Sequence, residues 1–173
     1  MRPRLFERCE ILSTNDFSGT YETLLSVLSS FDCSSYFSDL LGKAQCEQKI
    51  IVDSFKNNLC RFLVQELPTL HWLAESPSSK LVKDSIDIFG SNDDCCIIIE
   101  IDKHRADQVA KKYVSRAAVT DRRNIYIALC YPGTNNMNLN ECAKYFNYCK
   151  NLSLRLNNLY AGYVISKTHV SPA

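Results

Sequence analysis

The stretch Asp87-Ile-Phe-Gly-Ser-Asn-Asp-Asp-Cys-Cys-Ile-Ile-Ile-Glu-Ile-Asp102 decides how this chain reads. Ser85-Ile-Asp-Ile-Phe has the composition of a short strand, and Gly90-Ser-Asn-Asp-Asp follows it with residues that tolerate a tight turn. Cys95-Cys-Ile-Ile-Ile-Glu-Ile-Asp is almost wholly apolar until it ends in acids, as expected of a central strand buried on both faces. Together the segments predict a hairpin.

Side chains alternate along a strand, so Glu100 and Asp102 share one face. Which earlier aspartate joins them depends on the register. A loop of two or four residues centred on Asn92-Asp93 sets Asp87 opposite Ile98 and makes Glu100 its diagonal neighbour on the same face. A three-residue loop turns Asp84 to that face instead, because a one-residue slip reverses every side chain. The even-numbered loop is preferred here. Three carboxylates meeting at a strand end repel one another and resist ionisation unless a cation relieves them. An all-oxygen set suits Mg²⁺ or Mn²⁺. Asp87, Glu100 and Asp102 are therefore the candidate metal ligands, against the alternative that they are merely exposed acids at strand ends.

Upstream, Ile51, Phe55, Leu59 and Phe62 recur at helical spacing and predict a helix over 42–67, with Pro68 placed to stop it. One turn back along that stripe stands Glu47. His71-Trp-Leu-Ala reads as a strand and Ser76-Pro-Ser-Ser as a loop, with Trp72 read as core. Downstream, Ala106, Val109, Ala110, Tyr113, Val114 and Ala117 mark a helix whose other side carries Gln108, Lys111, Lys112 and Ser115. A strand over 124–130, a helix over 141–152 and a strand over 159–165 complete the pattern. Residues 1–40 are polar and Ser-rich apart from Tyr21-Glu-Thr-Leu-Leu-Ser-Val-Leu, and read as an N-terminal extension with one helix. Residues 41–173 then form a single α/β domain, a mixed sheet flanked by helices in the order α-β-β-β-α-β-α-β.

The chain has 173 residues, 46% hydrophobic and 23% charged, a composition compatible with a globular domain able to build a core. No apolar run approaches the roughly 18 residues that cross a bilayer. No export signal is recognisable, so a cytoplasmic protein with reduced thiols is expected, and its nine cysteines lack the spacing of a zinc site. The P-loop, GxGxxG and GxSxG motifs are absent, which argues against a nucleotide cofactor. Net charge is only +1, yet Lys103, Arg105, Lys111, Lys112, Arg116, Arg122 and Arg123 fall within a short stretch beside only Asp107 and Asp121. That stripe is either the footprint of a phosphate binder or a solvated helix face.

Asp87-Ile-Phe-Gly, a turn, Ile97-Ile-Ile-Glu-Ile-Asp and a following helix with Gln and Lys resemble the PD-(D/E)XK nuclease superfamily. Its restriction-endonuclease-like core runs helix, three-stranded meander, helix, strand, and residues 42–130 follow that order. The resemblance implies a metal-dependent nuclease of DNA. Asp87 and Glu100 match the family's acids, and Glu47 looks like the acid some members place on the preceding helix. Gln108, with Lys111 or Lys112, resembles polar residues of the following helix. Position 102 departs from the commonest pattern, which has lysine there. Lys112, one turn after Gln108, is the preferred migrated lysine, and Lys103, pointing away from Asp102, is second. Asp102 would then complete the metal shell, while Arg105, Lys111, Arg116, Arg122 and Arg123 would contact backbone phosphates. Cutting both strands would call for a homodimer. The competing expectation is an inactive binding or assembly module on the same fold. His104 reads as a helix-start residue rather than a base.

Overall fold

The structure, a computed structural model, describes residues 1–11, 16–77, 85–103, 106–133 and 138–166. In chain order these form β1 (Arg4–Arg8), α1 (Asp16–Ser30), the one-turn α2 (Ser34–Phe37), a 3-10 turn (Leu40–Gly42) and α3 (Gln45–Glu66). Then come β2 (His71–Pro77), β3 (Ser85–Ser91), β4 (Cys96–Lys103), α4 (Ala106–Val119), β5 (Asn124–Tyr131), α5 (Leu139–Arg155) and β6 (Leu159–Val164).

The six strands make one mixed sheet in the order β1-β6-β5-β4-β3-β2. β2, β3 and β4 are an antiparallel meander, β4, β5 and β6 run parallel, and β1 closes the far edge antiparallel to β6. The apolar runs of β4 and β5 occupy the middle, where both faces are covered. On one face, Ile97, Ile99, Ile125 and Ile127 pack with Phe55 and Leu59 of α3 and with Leu24 and Leu28 of α1. On the other, Ile98, Tyr126 and Tyr160 pack with Val109 and Tyr113 of α4 and Phe146 of α5. The helices that link the parallel strands thus lie together on the second face. Among the described residues no helix is long and apolar enough to cross a membrane.

The hairpin joins through four residues, 92–95, with Ser91 opposite Cys96, Phe89 opposite Ile98 and Ile88 opposite Ile99. The centre lies one residue later than the sequence suggests, so the pairing is shifted by two. Asp87 therefore falls in line with Glu100 rather than with Ile98. A two-residue shift preserves the face, which is why the choice of side chain survives the error in register. The turn is held by the Asn92 carboxamide oxygen, which accepts from the amides of Asp94 and Cys95 at 3.0 Å each. Asp84, the alternative acid, lies outside the described residues.

Two further differences concern the ends of expected elements. β2 runs on to Pro77, through residues read as loop. The described part of residues 1–40 does not stand apart from the sheet. β1 pairs along β6, and Tyr21, Leu24 and Leu28 of α1 are fully buried. The Tyr21 hydroxyl donates to the Tyr160 carbonyl at 2.6 Å, and the Tyr163 hydroxyl donates to the Leu25 carbonyl at 3.0 Å. Arg4-Leu-Phe-Glu-Arg8 gave no strand signal because an edge strand with a bulge between Leu5 and Glu7 shows no sustained alternation.

Trp72 is core, as its size suggests. It donates from Nε1 to the Leu67 carbonyl at 3.2 Å, and its ring covers Gly90, where a Cβ would stand only 2.6 Å from ring carbon. All nine cysteines are free thiols, and only Cys46 is exposed.

Candidate active site

Regular pairing between β3 and β4 ends at Ile88 and Ile99. Beyond that point the Asp87 carboxylate takes over as a partner for the neighbouring strand: the Ile101 amide donates to Asp87 Oδ2 at 2.9 Å. The side chain of Asp87 is thereby fixed beside Glu100 and Asp102, which project from β4 toward α4. Glu100 is 0% exposed and Asp102 is 9% exposed, so both carboxylates have lost most of their water.

Helix α4 starts directly after β4 and runs back over it. This return brings Lys112 and Arg116, one helical turn apart, onto the acids. Lys112 Nζ stands 2.9 Å from Asp102 Oδ1, 3.1 Å from Glu100 Oε2 and 3.6 Å from Asp87 Oδ2. Arg116 Nε donates to Glu100 Oε1 at 2.6 Å, and an Arg116 terminal nitrogen donates to the Ser85 carbonyl at 2.9 Å. From the opposite side, Lys56 of α3 lies 3.9 Å from Asp87 Oδ1, while also meeting Glu75 at 2.6 Å and Asp53 at 3.4 Å.

Burial dominates the electrostatics. It pushes Glu100 up from an ordinary 4.5 to about 7, against the pull of Lys112 and with the push of Asp87. Burial raises Asp102 as well, again opposed by Lys112. For Lys112, burial alone would lower the pKa, but Glu100, Asp102 and Asp87 outweigh it and hold the ammonium charged well above its usual range. The same balance, with Glu75 and Asp87 as the acids, raises Lys56. The cluster is thus a set of buried charges paired from two helices.

One polar atom in it has no partner among the described residues: Asp102 Oδ2 is buried and accepts no hydrogen bond from them. An orphaned carboxylate oxygen beside two other acids is a donor set that fits a hard divalent cation. The present arrangement is not itself a coordination shell. Among the described residues no three His, Cys, Asp or Glu side chains stand in metal-holding positions.

The other candidates divide sharply. Glu47 is exposed on α3 and is used locally, its carboxylate accepting from the Ala44 amide at 2.9 Å at the helix start. Gln108 donates to Asp107 at 3.1 Å, and Lys111 pairs with the same acid at 3.7 Å across one turn. Lys103 points away from Asp102, as alternation requires, and donates to Gln48 of α3 at 2.9 Å. Arg116 is a correction: it is 1% exposed and bound to Glu100, so it presents nothing to a phosphate backbone. Arg122 donates to the Asn92 and Asp93 carbonyls of the hairpin turn, and Arg123 lies over the Phe17 ring at 4.1 Å. Both sit at the end of the sheet remote from Asp102. The basic stripe of the sequence is therefore dispersed in space. Arg105 and His104 lie outside the described residues.

Lys56 and the pairing role of Arg116 were missed. A signal existed for each. Lys56 falls on the helical stripe Val52, Lys56, Leu59, Leu63, and Arg116 on Val109, Tyr113, Arg116, so both interrupt apolar faces. A charge in such a position has to be neutralised inside the fold.

Beside the cluster, on the α3 side of the sheet, a cleft of ≈ 560 Å³ opens between α3 and the ends of β4 and β5, lined by Gln48, Lys49, Asp53, Lys103 and Tyr131 among others. No family model, curated protein or solved structure matches this chain.

Proposed function

We propose that the protein is a metal-dependent nuclease that hydrolyses phosphodiester bonds of DNA, built on a restriction-endonuclease-like core of the PD-(D/E)XK kind. The observation that carries this reading is the convergence of Asp87, Glu100 and Asp102 on one point from two strands, with Lys112 delivered to the same point from α4. The run of a helix, three antiparallel strands, a helix and a parallel strand from Gln45 to Tyr131 supports the family likeness.

In this reading Asp87, Glu100 and Asp102 would hold Mg²⁺ or Mn²⁺, the buried Asp102 Oδ2 having no hydrogen-bond partner among the described residues. Such a cation polarises a phosphoryl oxygen and lowers the pKa of a water. Lys112 sets its ammonium against the negative charge that builds on the scissile phosphate. Arg116 orients Glu100 and opposes the upward push of burial on its carboxyl, and the Ile101 amide and Lys56 orient Asp87. Lys111 and Arg105 remain the candidates for backbone phosphates, and Gln108 reaches a phosphate only by leaving Asp107. Cleavage of both strands would pair two copies of the site, and the cytoplasm is the proposed place of action.

The test is plasmid cleavage with Mg²⁺ or Mn²⁺, comparing wild type with Glu100→Ala. Loss of about 100-fold or more in the variant is expected for removal of a group that organises charge in the transition state. Equal activity in the two would remove the site.

A second reading, a non-catalytic nucleic-acid-binding or assembly module, draws on a specific observation. Lys112 and Arg116 already pair with the acids, so the cluster stands as a structural ion-pair network. Under that reading neither Mg²⁺ nor Ca²⁺ binds detectably or raises thermal stability.

A further inference from the structure

Lys112 Nζ occupies a singular position. It is within 3.6 Å of a carboxylate oxygen from each of Asp87, Glu100 and Asp102, the same three groups that would coordinate a cation. A magnesium ion held by these carboxylates needs contacts of about 2.0–2.1 Å, and the ammonium, at 2.9, 3.1 and 3.6 Å from one oxygen of each, stands among them. The two cannot be there together. Positive charges a few ångströms apart in a buried site repel, so a divalent ion entering beside the ammonium is opposed.

Resting on the reading of these carboxylates as a cation site, we infer that Lys112 is a built-in competitor for that site: the ammonium closes it in the ion-free protein and must swing out before a divalent cation binds. Charge supports the exchange. Among the described residues five acids (Asp53, Glu75, Asp87, Glu100 and Asp102) share three cations (Lys56, Lys112 and Arg116), and replacing the Lys112 ammonium by a divalent cation narrows that deficit by one charge. Space supports it too. The Lys112 side chain is 34% exposed, whereas Arg116 is 1% exposed and tied to Glu100 and the Ser85 carbonyl, so only the lysine has a route out. Released, the ammonium lies at the mouth of the site, where an anionic phosphate would approach. The two roles of Lys112 are then consecutive, first plug and then phosphate ligand, and the protein is held off until both metal and substrate charge are present.

The experiment is Mn²⁺ binding to the full chain by calorimetry, with thermal melts, for wild type, Lys112→Met and Lys112→Arg. Lys112→Met is expected to bind Mn²⁺ roughly tenfold or more tightly than wild type, because the competing charge is gone. Lys112→Arg keeps the charge and is expected to bind no better than wild type. Lys112→Met is also expected to melt lower without metal and to gain more from Mn²⁺ than wild type does. Should it be unfolded without metal, Mn²⁺ must fold it, and a chain that stays unfolded in Mn²⁺ overturns the inference. Equal or weaker binding by a folded Lys112→Met overturns it as well. The outcome is separable from the nuclease reading. Tighter binding by Lys112→Met with no cleavage by wild type keeps the plug and discards the nuclease. Cleavage by wild type without tighter binding does the reverse.

Discussion

The two faces of the sheet are packed by opposite means. Under α1 and α3 the sheet meets Phe, Leu and Ile side chains, and aromatic rings close on one another, as in the Phe37–Phe55 pair at 4.8 Å. Under α4 the same sheet buries Glu100, Asp102 and Arg116, and Tyr126 hides a hydroxyl that has no partner among the described residues. The first face gains stability from the apolar groups it removes from water, with Lys56 the buried charge on it. The second spends part of that gain on desolvated charge, which ion pairing offsets only when each group keeps its partner. The difference teaches where chemistry is arranged: a face organised for stability alone would be better filled with hydrocarbon.

The largest effects should come from breaking the charged face asymmetrically. Arg116→Met leaves buried Glu100 with only the partly exposed Lys112 as a charged partner and is expected to cost about 3 kcal/mol, measured by denaturant unfolding. Replacing both partners, Glu100→Leu with Arg116→Met, should recover most of that loss. A double variant as unstable as the single one would mean that the pair is not what holds this face. Phe55→Ala on the other face is expected to cost a similar amount, about 3–5 kcal/mol, with no second substitution that restores it so simply.

The pH dependence sharpens the contrast next. Glu100 titrates near 7 in the folded chain and near 4.5 when exposed, so between these values the folded state holds a proton that the unfolded state has released. Stability must then fall as pH rises from 4.5 to 7 and level off above, by about 3 kcal/mol for this group. Asp102, raised by the same burial, adds a contribution of the same sign. Glu100→Gln is expected to flatten the slope when unfolding is followed across that range. A slope that persists unchanged would place the titration elsewhere.

Smaller tests concern packing on the charged side. At Gly162 a Cβ would stand 2.4 Å from the Phe146 ring, so Gly162→Ala should cost about 1–3 kcal/mol by crowding α5 off β6. Smallest of all, Tyr126→Phe removes a buried hydroxyl that bonds to nothing among the described residues, and thermal melts should find it neutral or stabilised by about 1 kcal/mol. Clear destabilisation by Tyr126→Phe would mean that the hydroxyl has a role the packing does not reveal.

Much of this arrangement was legible in the chain. The apolar run before Glu100 marks a central strand whatever surrounds it, and alternation places Glu100 and Asp102 together without knowledge of any partner. Asp87 could be chosen because only the parity of the turn matters for the face, so a pairing shifted by two gave the same side chain. The helical repeat after β4 set Lys112 on the side away from the apolar stripe, and only the family resemblance singled it out; the structure brings it onto the acids. Less was legible where the decisive contact is distant in sequence. Lys56 reaches Asp87 from α3, and Arg116 reaches back to Glu100 and Ser85, contacts that no local period encodes. Arg122 and Arg123 are neighbours of Arg116 in sequence but lie at the other end of the sheet, because β5 starts where α4 ends. A run of like charge was therefore a poor guide to a surface. β1 was hidden for a different reason, since an edge strand of mixed composition acquires its identity only from β6.

The most direct measurement is a crystal structure of the wild-type protein grown in Mn²⁺ with anomalous scattering recorded at the manganese edge. The account requires a peak between the carboxylates of Asp87, Glu100 and Asp102, with the Lys112 side chain turned toward solvent. A map with no peak there, and the Lys112 ammonium still resting on all three acids at saturating Mn²⁺, would contradict it.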